Sequence, residues 1–213
     1  MKALFIGGTG TISSAITRLL SQNPDWQLFL INRGNHISEI PDGVTNLTAD
    51  IDDEKTVLRL LGDLEFDVVC DFIGFVPAQV ERDIRLFKGR TRQYIYISSA
   101  SAYMKPLPSP FITESTSLSN PFWQYSRDKI ACEELLIHQF REEGFPVTIV
   151  RPSHTYNEKN VPVAVHGKRG CYQVLKRMLE GKKVIIPGDG AIIPNSLTVT
   201  ITNATDAKVF YTT

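Results

Sequence analysis

The fold is decided by the first stretch of the chain, MKALFIGGTGTISSAITRLL (residues 1–20), in which an apolar run ends at a glycine-rich turn and a helical pattern follows. Glycines between a strand and a helix let the backbone approach a pyrophosphate closely, and the free N–H groups at the helix N-terminus can bind it. This context predicts a dinucleotide-binding loop. The residues expected to contact the cofactor are Gly7, Gly10, Thr11 and Ile12.

The same alternation of short apolar runs and helical segments continues towards the middle of the chain. The runs expected to form strands are Ala3–Gly7, Gln27–Ile31, Val44–Leu47, Phe66–Ile73, Gln93–Ser98 and Pro146–Arg151. The segments expected to form helices are Thr11–Leu20, Asp53–Leu61, Pro77–Phe87 and Pro121–Glu143. Parallel strands joined by helical crossovers make a sheet with helices on both faces. Residues 1–152 are therefore predicted to form a Rossmann-like, doubly wound α/β domain that binds a dinucleotide.

Beyond Pro152 the alternation breaks down. Cys171–Glu180 has helical spacing and Val184–Ile186 could form a short strand, whereas the tail from residue 191 is strand-like without a complete domain around it. The sequence therefore predicts a second region, residues 153–213, that makes up only part of a domain.

Composition narrows the classes of function. Of the 213 residues, 42% are hydrophobic, and 23 Lys and Arg balance 23 Asp and Glu. Because no global positive field exists to attract nucleic acid or an anionic membrane, we expect a small-molecule substrate. The three cysteines are far apart and lack metal-ligand spacing, so we predict no metal site and a reducing, cytoplasmic location. No apolar run approaches the roughly 18 residues of a membrane span.

The end of the second strand bears on which dinucleotide is bound. NAD-binding loops usually place an acidic residue about 20 positions after the glycines to bind the ribose hydroxyls. Here the strand ends in Asn32-Arg33, and a guanidinium can pair with a 2′-phosphate, so we favour NADP over NAD. Asp50-Ile51, after the third strand, could flank the adenine, although Asp50 could equally cap the helix that begins near Asp53.

Three residues are candidates for catalysis. Tyr125 and Lys129 are four positions apart on a predicted helix and therefore share one face. A free phenol titrates at about pH 10, and a nearby cation stabilises its phenolate, which makes it a usable base at neutral pH. Ser99, at the carboxyl end of a strand, could hydrogen-bond the reacting oxygen. Together the three predict proton transfer at a carbonyl or alcohol.

These motifs carry a family resemblance. The glycine loop with Ser13, the strand-end Ser99, Tyr125-x-x-x-Lys129 and the segment Arg151-Pro-Ser-His-Thr-Tyr resemble extended short-chain dehydrogenases/reductases of the NAD-dependent epimerase/dehydratase family. The resemblance implies an NAD(P)-dependent enzyme that epimerises or dehydrates a nucleotide sugar, with Ser99 and Tyr125 acting on a substrate hydroxyl. It also implies that Lys129 holds the nicotinamide ribose, and that Pro152 and His154 line the nicotinamide pocket.

The resemblance bears on the C-terminal region as well. Members of the family normally continue through further helices and strands, so residues 153–213 are expected to form an incomplete, apparently truncated substrate lobe. A homodimer is expected by the same resemblance. Two other functions stay open on the same fold: a non-catalytic NAD(P)-binding sensor or RNA-associated protein, and a simple carbonyl reductase that uses the same residues.

Overall fold

The structure, a computed structural model, describes residues 1–35, 37–109, 111–153, 155, 176, 177 and 179–182. The chain forms two compact units, one of residues 1–108 and 114–155 and the other of residues 109–113 and 156–213. Every strand and helix named below belongs to the first unit. Of the predicted helix Cys171–Glu180, the described residues Lys176, Arg177 and Leu179 are helical. The predicted strand Val184–Ile186 lies outside the described residues.

The first unit is built on a parallel sheet of six strands. In chain order these are β1 (Lys2–Ile6), β2 (Gln27–Asn32), β3 (Thr45–Thr48), β4 (Val68–Asp71), β5 (Tyr94–Ile97) and β6 (Val147–Val150). The strands lie in the order β3-β2-β1-β4-β5-β6 and every neighbouring pair is parallel, which confirms the Rossmann-like, doubly wound sheet. Strand order reverses between β1 and β4, so the carboxyl ends of these two strands border the crevice in which such folds bind ligands.

Four α-helices connect the strands in the described part of the chain. They are α1 (Ser13–Ser21), α2 (Glu54–Leu61), α3 (Pro77–Phe87) and α4 (Gln124–Glu143). Short 3₁₀ turns lie at Ile37–Glu39 and Ala100–Ala102. Within the described residues, no helix combines the length and the apolar character that crossing a membrane requires.

Two helices begin two or more residues later than the sequence predicts. The prediction started α1 at Thr11, but the glycine turn continues as far as Ile12, the residue that flanks the helix. The prediction started α4 at Pro121, but Trp123 is still extended, with φ of −136°. The sequence pattern does not distinguish the residues that lead into a helix from those of its first turn, so both helix starts were predicted too early.

The N-cap of α2 is Asp53. Its carboxylate accepts a hydrogen bond of 3.2 Å from the backbone N–H of Thr56, and this bond satisfies one of the free donors of the first turn. Asp50 instead accepts from the backbone N–H of Asp52 at 3.0 Å. The alternative prediction that Asp50 caps this helix is therefore wrong.

The core lies on both faces of the sheet. Leu4 and Ile6 of β1 belong to the larger apolar cluster, which also contains side chains of α2, α3 and α4. Ala3 and Phe5, which alternate with them, belong to a smaller cluster on the opposite face. This alternation arises because successive strand residues point to opposite faces of a sheet. With both faces of β1 buried, the glycine loop that follows it starts from a rigid strand.

Candidate active site

The loop after β1 has a shape that only glycine permits. Gly7 has φ of +83°, and a Cβ added there would lie 2.6 Å from Cγ2 of Ile73. A Cβ on Gly8 would lie 2.4 Å from Cδ2 of Leu30, whose side chain is fully buried. The loop is therefore packed against its own domain on one side, which leaves its backbone free to approach a ligand on the other. This cradle fits the pyrophosphate of a dinucleotide.

Hydroxyl groups in the first turns of α1 hold the loop in place. Ser13 Oγ donates to the carbonyl of Gly7 at 2.7 Å and accepts from the N–H of Gly10 at 2.8 Å. Thr17 Oγ1 donates to the carbonyl of Gly8 at 2.8 Å. Both hydroxyl-bearing residues are buried. Ser13 therefore fixes the backbone of the turn.

A cavity of about 460 Å³ opens beside this loop, at the carboxyl ends of the strands. Its lining includes six of the residues expected to bind the cofactor, namely Gly7, Gly10, Asn32, Arg33, Asp50 and Ile51. Thr11 and Ile12 do not line it, and the Ile12 side chain packs against the smaller apolar cluster. The backbone N–H groups of these two residues lie at the start of α1, where helix donors have no intrahelical partner.

Sequence reasoning missed other residues that line the cavity. These include Thr9, Asn35, Asp52, Ile73, Phe75, Gln79 and Arg82. Several of them follow β4 or lie on α3. The reversal of strand order between β1 and β4 was the available signal, since it brings the loop after β4 to the edge of the ligand crevice.

The residues at the end of β2 that line the cavity carry hydrogen-bond donors. Asn32 Oδ1 accepts from the N–H of Gly34 at 3.0 Å, and its Nδ2 is buried without a partner among the described residues. Arg33 is exposed, and its guanidinium has no carboxylate partner in the part of the chain that the structure describes. A buried donor left open and a free guanidinium both suit an anionic group.

Lys129 lies on α4 and is almost completely buried, with 1% of its surface exposed. Its Nζ donates to the carbonyls of Gly74 and Ile97, each at 2.7 Å. The ammonium also lies 4.7 Å from the ring centre of Tyr96. Burial of the charged form lowers the pKa of Lys129 from its ordinary value, and the carboxylate of Asp71 opposes this effect. Two neutral carbonyls at the ends of β4 and β5 therefore hold the cation in place.

Tyr125 lies one turn before Lys129 on α4 and is partly buried. Its ring is flanked by two others, with ring centres 4.8 Å away at Trp123 and 6.3 Å away at Phe75. Nζ of Lys129 lies 5.8 Å from the centre of the Tyr125 ring. The structure therefore brings the predicted phenol and cation close together at the surface of the domain.

A chain of hydroxyl groups joins Ser99 to the helix that carries Tyr125. Ser99 Oγ lies 2.9 Å from Ser101 Oγ, which in turn accepts from Ser126 Oγ at 2.9 Å. Asn120 donates to the carbonyl of Ser101 at 2.8 Å. The sequence motif pointed to Ser99 but not to Ser101 or Ser126. Since Ser126 immediately follows Tyr125, this chain links the turn after β5 to the first turn of α4.

A second buried network fixes the same turn from the other side. Arg151, after β6, donates to both carboxylate oxygens of Glu133 on α4, with Nε at 3.0 Å and one NH2 group at 2.6 Å. Glu133 is fully buried and also accepts from the hydroxyl of Ser98. A further guanidinium nitrogen of Arg151 donates to the phenol of Tyr103 at 3.2 Å. One ion pair therefore connects β5, β6 and α4 around Ser99.

Two buried carboxyl groups lie beneath Lys129. Asp71 Oδ1 accepts from the N–H groups of Ile73 at 2.8 Å and Gly74 at 3.0 Å, which shapes the loop after β4. Asp83 accepts from the phenol of Tyr94 at 2.8 Å, and that phenol lies 3.4 Å from Asp71. Burial and the neighbouring carboxyl Asp71 raise the pKa of Asp83 well above its ordinary value.

The remaining predicted contacts lie after β6. The carbonyl of Pro152 accepts from the N–H of Ala100 at 2.9 Å, so this residue supports the turn that carries Ser99. Pro152 does not line the cofactor cavity, and His154 lies outside the described residues. Among the residues that the structure describes, no group of three or more His, Cys, Asp or Glu is placed to hold a metal ion.

Solved structures with the same fold are numerous. A dTDP-glucose 4,6-dehydratase from Bacillus anthracis in complex with NAD is 18% identical, with a TM-score of 0.69 over 89% of this chain and 65% of its own. A UDP-glucuronic acid 4-epimerase from Bacillus cereus, in complex with UDP-glucuronic acid and NAD, is 23% identical, with a TM-score of 0.64 over 89% of this chain and 67% of its own.

A UDP-Glc/GlcNAc 4-epimerase from Campylobacter jejuni is 20% identical, with a TM-score of 0.62 over 70% of this chain and 52% of its own. The present chain spans about half of the length of several such neighbours. No curated protein matches it. The model of the NAD dependent epimerase/dehydratase family matches residues 3–192, which is most of the sequence and includes the glycine loop, Ser99, Tyr125 and Lys129. The chain therefore belongs to the NAD-dependent epimerase/dehydratase family.

Proposed function

We propose that this protein is an NAD(P)-dependent epimerase or dehydratase of a nucleotide sugar, and that Ser99, Tyr125 and Lys129 form its catalytic group. The observation that carries the proposal is the position of Lys129. Its buried ammonium lies between the carbonyls of Gly74 and Ile97, 5.8 Å from the ring centre of Tyr125. An ammonium that uses two of its three donors on backbone carbonyls keeps one for a ligand.

Each residue has a defined part in the proposed reaction. Tyr125 Oη takes the proton of a substrate hydroxyl, and the positive charge of Lys129 stabilises the resulting phenolate. Ser99 donates a hydrogen bond to the same substrate oxygen and is itself oriented by Ser101. A nicotinamide cofactor, when bound, would supply reversible hydride transfer. The glycine loop and the cavity of about 460 Å³ would hold that cofactor.

The test is Tyr125→Phe, assayed with a panel of UDP- and dTDP-hexoses. Removal of the phenol should lower turnover by about 10²–10⁴-fold, because general acid–base catalysis supplies a factor of that size. The affinity for cofactor should stay within about twofold, since the phosphate loop and the β2 end hold it. Activity equal to that of the wild type would overturn the catalytic assignment. Cofactor binding by a wild-type protein that turns over no substrate would favour the sensor, and reduction in one direction only would favour the carbonyl reductase.

We further propose that the cofactor is NADP rather than NAD. The donors at the end of β2, Asn32 Nδ2 and the Arg33 guanidinium, support a 2′-phosphate in preference to ribose hydroxyls. Two of the solved neighbours described above hold NAD, so the proposal of NADP depends on the residues at this chain's β2 end alone.

Arg33→Ala should weaken NADPH binding by about ten- to a hundredfold and NADH binding by less than about threefold. Both affinities can be measured by the fluorescence of the reduced nicotinamide. Arg59→Ala is a matched control, because it removes a cation of α2 that does not line the cavity. Equal losses for the two cofactors in Arg33→Ala would show that the guanidinium does not contact a 2′-phosphate.

A further inference from the structure

Three aromatic rings form a row at the mouth of the candidate site. Tyr125 is in the centre, with Trp123 on one side at 4.8 Å between ring centres and Phe75 on the other at 6.3 Å. The two outer side chains are 54% and 45% exposed, respectively. Large aromatic side chains gain free energy from burial, so a partly exposed row beside a candidate catalytic group marks a surface that a ligand can cover.

The row has a defined direction. Phe75 lines the cofactor cavity and lies 5.0 Å from the ammonium of Lys129, so its end of the row belongs to the cofactor side. Trp123 does not line that cavity, and its ring centre lies 4.8 Å from that of Tyr125. A molecule that presents a hydroxyl to Tyr125 from outside the cofactor cavity would therefore have Trp123 as a neighbouring aromatic ring.

The position of Trp123 is fixed before any ligand binds. It is the N-cap residue of α4, with an extended backbone, and its carbonyl accepts from the N–H groups of Ser126 at 3.1 Å and Arg127 at 3.2 Å. Its ring is further held against Tyr125, with 39° between the ring planes. A ring that is already ordered loses little entropy when a ligand covers it, which favours its use as a binding surface.

The chemistry of this surface selects the part of a substrate that it can bind. An indole face carries partial negative charge and contacts polarised C–H groups, whereas it repels phosphate. In a nucleotide sugar, the hexose ring carries the reacting hydroxyl and has a face of C–H groups, while the diphosphate carries the negative charge. The hexose ring therefore fits the position next to Tyr125 by both chemistry and geometry.

We propose that Trp123 forms a substrate subsite that packs against the C–H face of the hexose ring whose hydroxyl meets Tyr125, and so contributes to selection of the sugar. This inference rests on the proposed function, because it takes the ligand to be a nucleotide sugar. Phe75 closes the same subsite on the cofactor side.

The test compares Trp123→Ala with Phe122→Ala in the full chain saturated with NADPH or NAD. Phe122 is the matched control, since it is 77% exposed, adjacent in sequence and without a ring contact among the described residues. Calorimetry would measure the affinities for UDP-glucose, UDP-galactose, UDP-glucuronic acid and dTDP-glucose, with UDP and dTDP as probes that lack the sugar.

In the wild type, we expect at least one of these nucleotide sugars to bind more tightly than the corresponding UDP or dTDP. Trp123→Ala should reduce the ratio of the affinity for nucleotide sugar to that for free nucleotide by about tenfold, which is the size of effect that one aromatic contact can supply. The affinities for UDP and dTDP themselves should stay within about twofold. Phe122→Ala should change neither, and Trp123→Phe should keep most of the ratio.

Tryptophan fluorescence emission gives a second measurement, which does not depend on the stability of the variant protein. The chain has two tryptophans, Trp26 and Trp123, so Trp123→Phe should abolish the change in tryptophan emission that the sugar causes in the wild type. An equal loss of affinity for sugar and free nucleotide, or an unchanged ratio in Trp123→Ala, would overturn the subsite and leave the proposed function standing. If the wild type binds no sugar more tightly than its nucleotide, the subsite is also overturned, while Tyr125→Phe still decides the function by turnover.

Discussion

At the scale of the residue, the candidate site depends on charges that are buried and compensated. Lys129 is solvated by two backbone carbonyls, whereas Glu133 is compensated by an arginine. The two arrangements differ in what a mutation would expose. A carbonyl left without its ammonium is still neutral, but a buried carboxylate left without its guanidinium is an unpaired charge in a medium of low dielectric constant.

Loss of the guanidinium in Arg151→Met should therefore lower the free energy of unfolding by about 3–5 kcal/mol. The pair of Lys88 and Glu143 is a matched control, because Glu143 lies on α4 as Glu133 does. The two groups are 2.9 Å apart, and both side chains are about half exposed. Lys88→Met should cost at most about 1 kcal/mol. Urea denaturation followed by circular dichroism gives both values.

The double variant Arg151→Met with Glu133→Met separates pairing from packing. Removing both charges should recover most of the loss seen with Arg151→Met alone, since no buried charge is left unpaired. A double variant that is no more stable than Arg151→Met would show that the hydrogen bonds to Ser98 and Tyr103, rather than the charge balance, account for the effect.

At the scale of the element, the loop after β1 and the helix α1 act as one unit. The two hydroxyls of Ser13 and Thr17 bond to carbonyls of the loop, so the helix holds the loop as well as following it. The sequence predicted this unit from its glycines, with Ser13 as part of the loop motif, but it did not predict these two hydroxyl bonds.

Ser13→Ala should destabilise the protein by about 1–3 kcal/mol and weaken the binding of NADPH, because the carbonyl of Gly7 and the N–H of Gly10 both lose a partner in a buried place. Ser21→Ala, at the other end of α1, removes an exposed hydroxyl bonded to the carbonyl of Arg18 and should cost less than about 0.5 kcal/mol. Thermal unfolding and a cofactor titration measure the two effects. An unchanged affinity for NADPH in Ser13→Ala would mean that the loop keeps its shape without the hydroxyl.

The elements themselves were predictable, and so were several of their ends, such as both ends of α3, but not all. All six strands and four helices of the described unit occur where apolar periodicity predicts them. The start of α4 was missed because Trp123, which the pattern counts as helical, has an extended backbone. Within the candidate site, motifs pointed to Ser99, Tyr125 and Lys129. They could not point to Gln79 or Arg82, whose approach to the cavity depends on the packing of α3 beside the sheet.

At the scale of the whole molecule, parallel strands collect polar groups at one edge of the sheet and also bury some of them in its interior. Asp71 and Asp83 are both fully buried and share the phenol of Tyr94. No local pattern in the sequence predicted this pair, since the two carboxyl groups come from different elements and meet only in the folded chain. The pair makes stability depend on pH.

Burial and the carboxyl of Asp71 raise the pKa of Asp83, and the Arg82 guanidinium, which donates to Asp83 Oδ1 at 2.8 and 2.9 Å, offsets them only in part, so the folded protein holds a proton that the unfolded chain releases. The resulting stability is fully present below the ordinary aspartate value of about 4 and is lost as the pH rises through the raised folded value. Asp83→Asn cannot ionise. The stability of the wild type, relative to this variant, should therefore fall from pH 4 upwards, by about 1.4 kcal/mol for each unit of difference in pKa.

Urea unfolding of both proteins at a series of pH values from about 4 to 8 measures this dependence. Asp63→Asn serves as control, because it removes an exposed carboxyl from the loop before β4 and should follow the wild type. Parallel curves for the wild type and Asp83→Asn would contradict the raised pKa.

The attachment of Lys129 to two backbone carbonyls has a consequence for how this sequence can evolve. Every residue type brings a carbonyl oxygen, so substitutions at Ile97 leave that anchor in place, and the buried side chain there is constrained only by its packing in the smaller apolar cluster. The other anchor tolerates almost no substitution, because a Cβ on Gly74 would lie 2.1 Å from Oδ2 of Asp71. Of the two positions that hold the same ammonium, one can therefore exchange among apolar residues of similar size and the other is confined to a single amino acid.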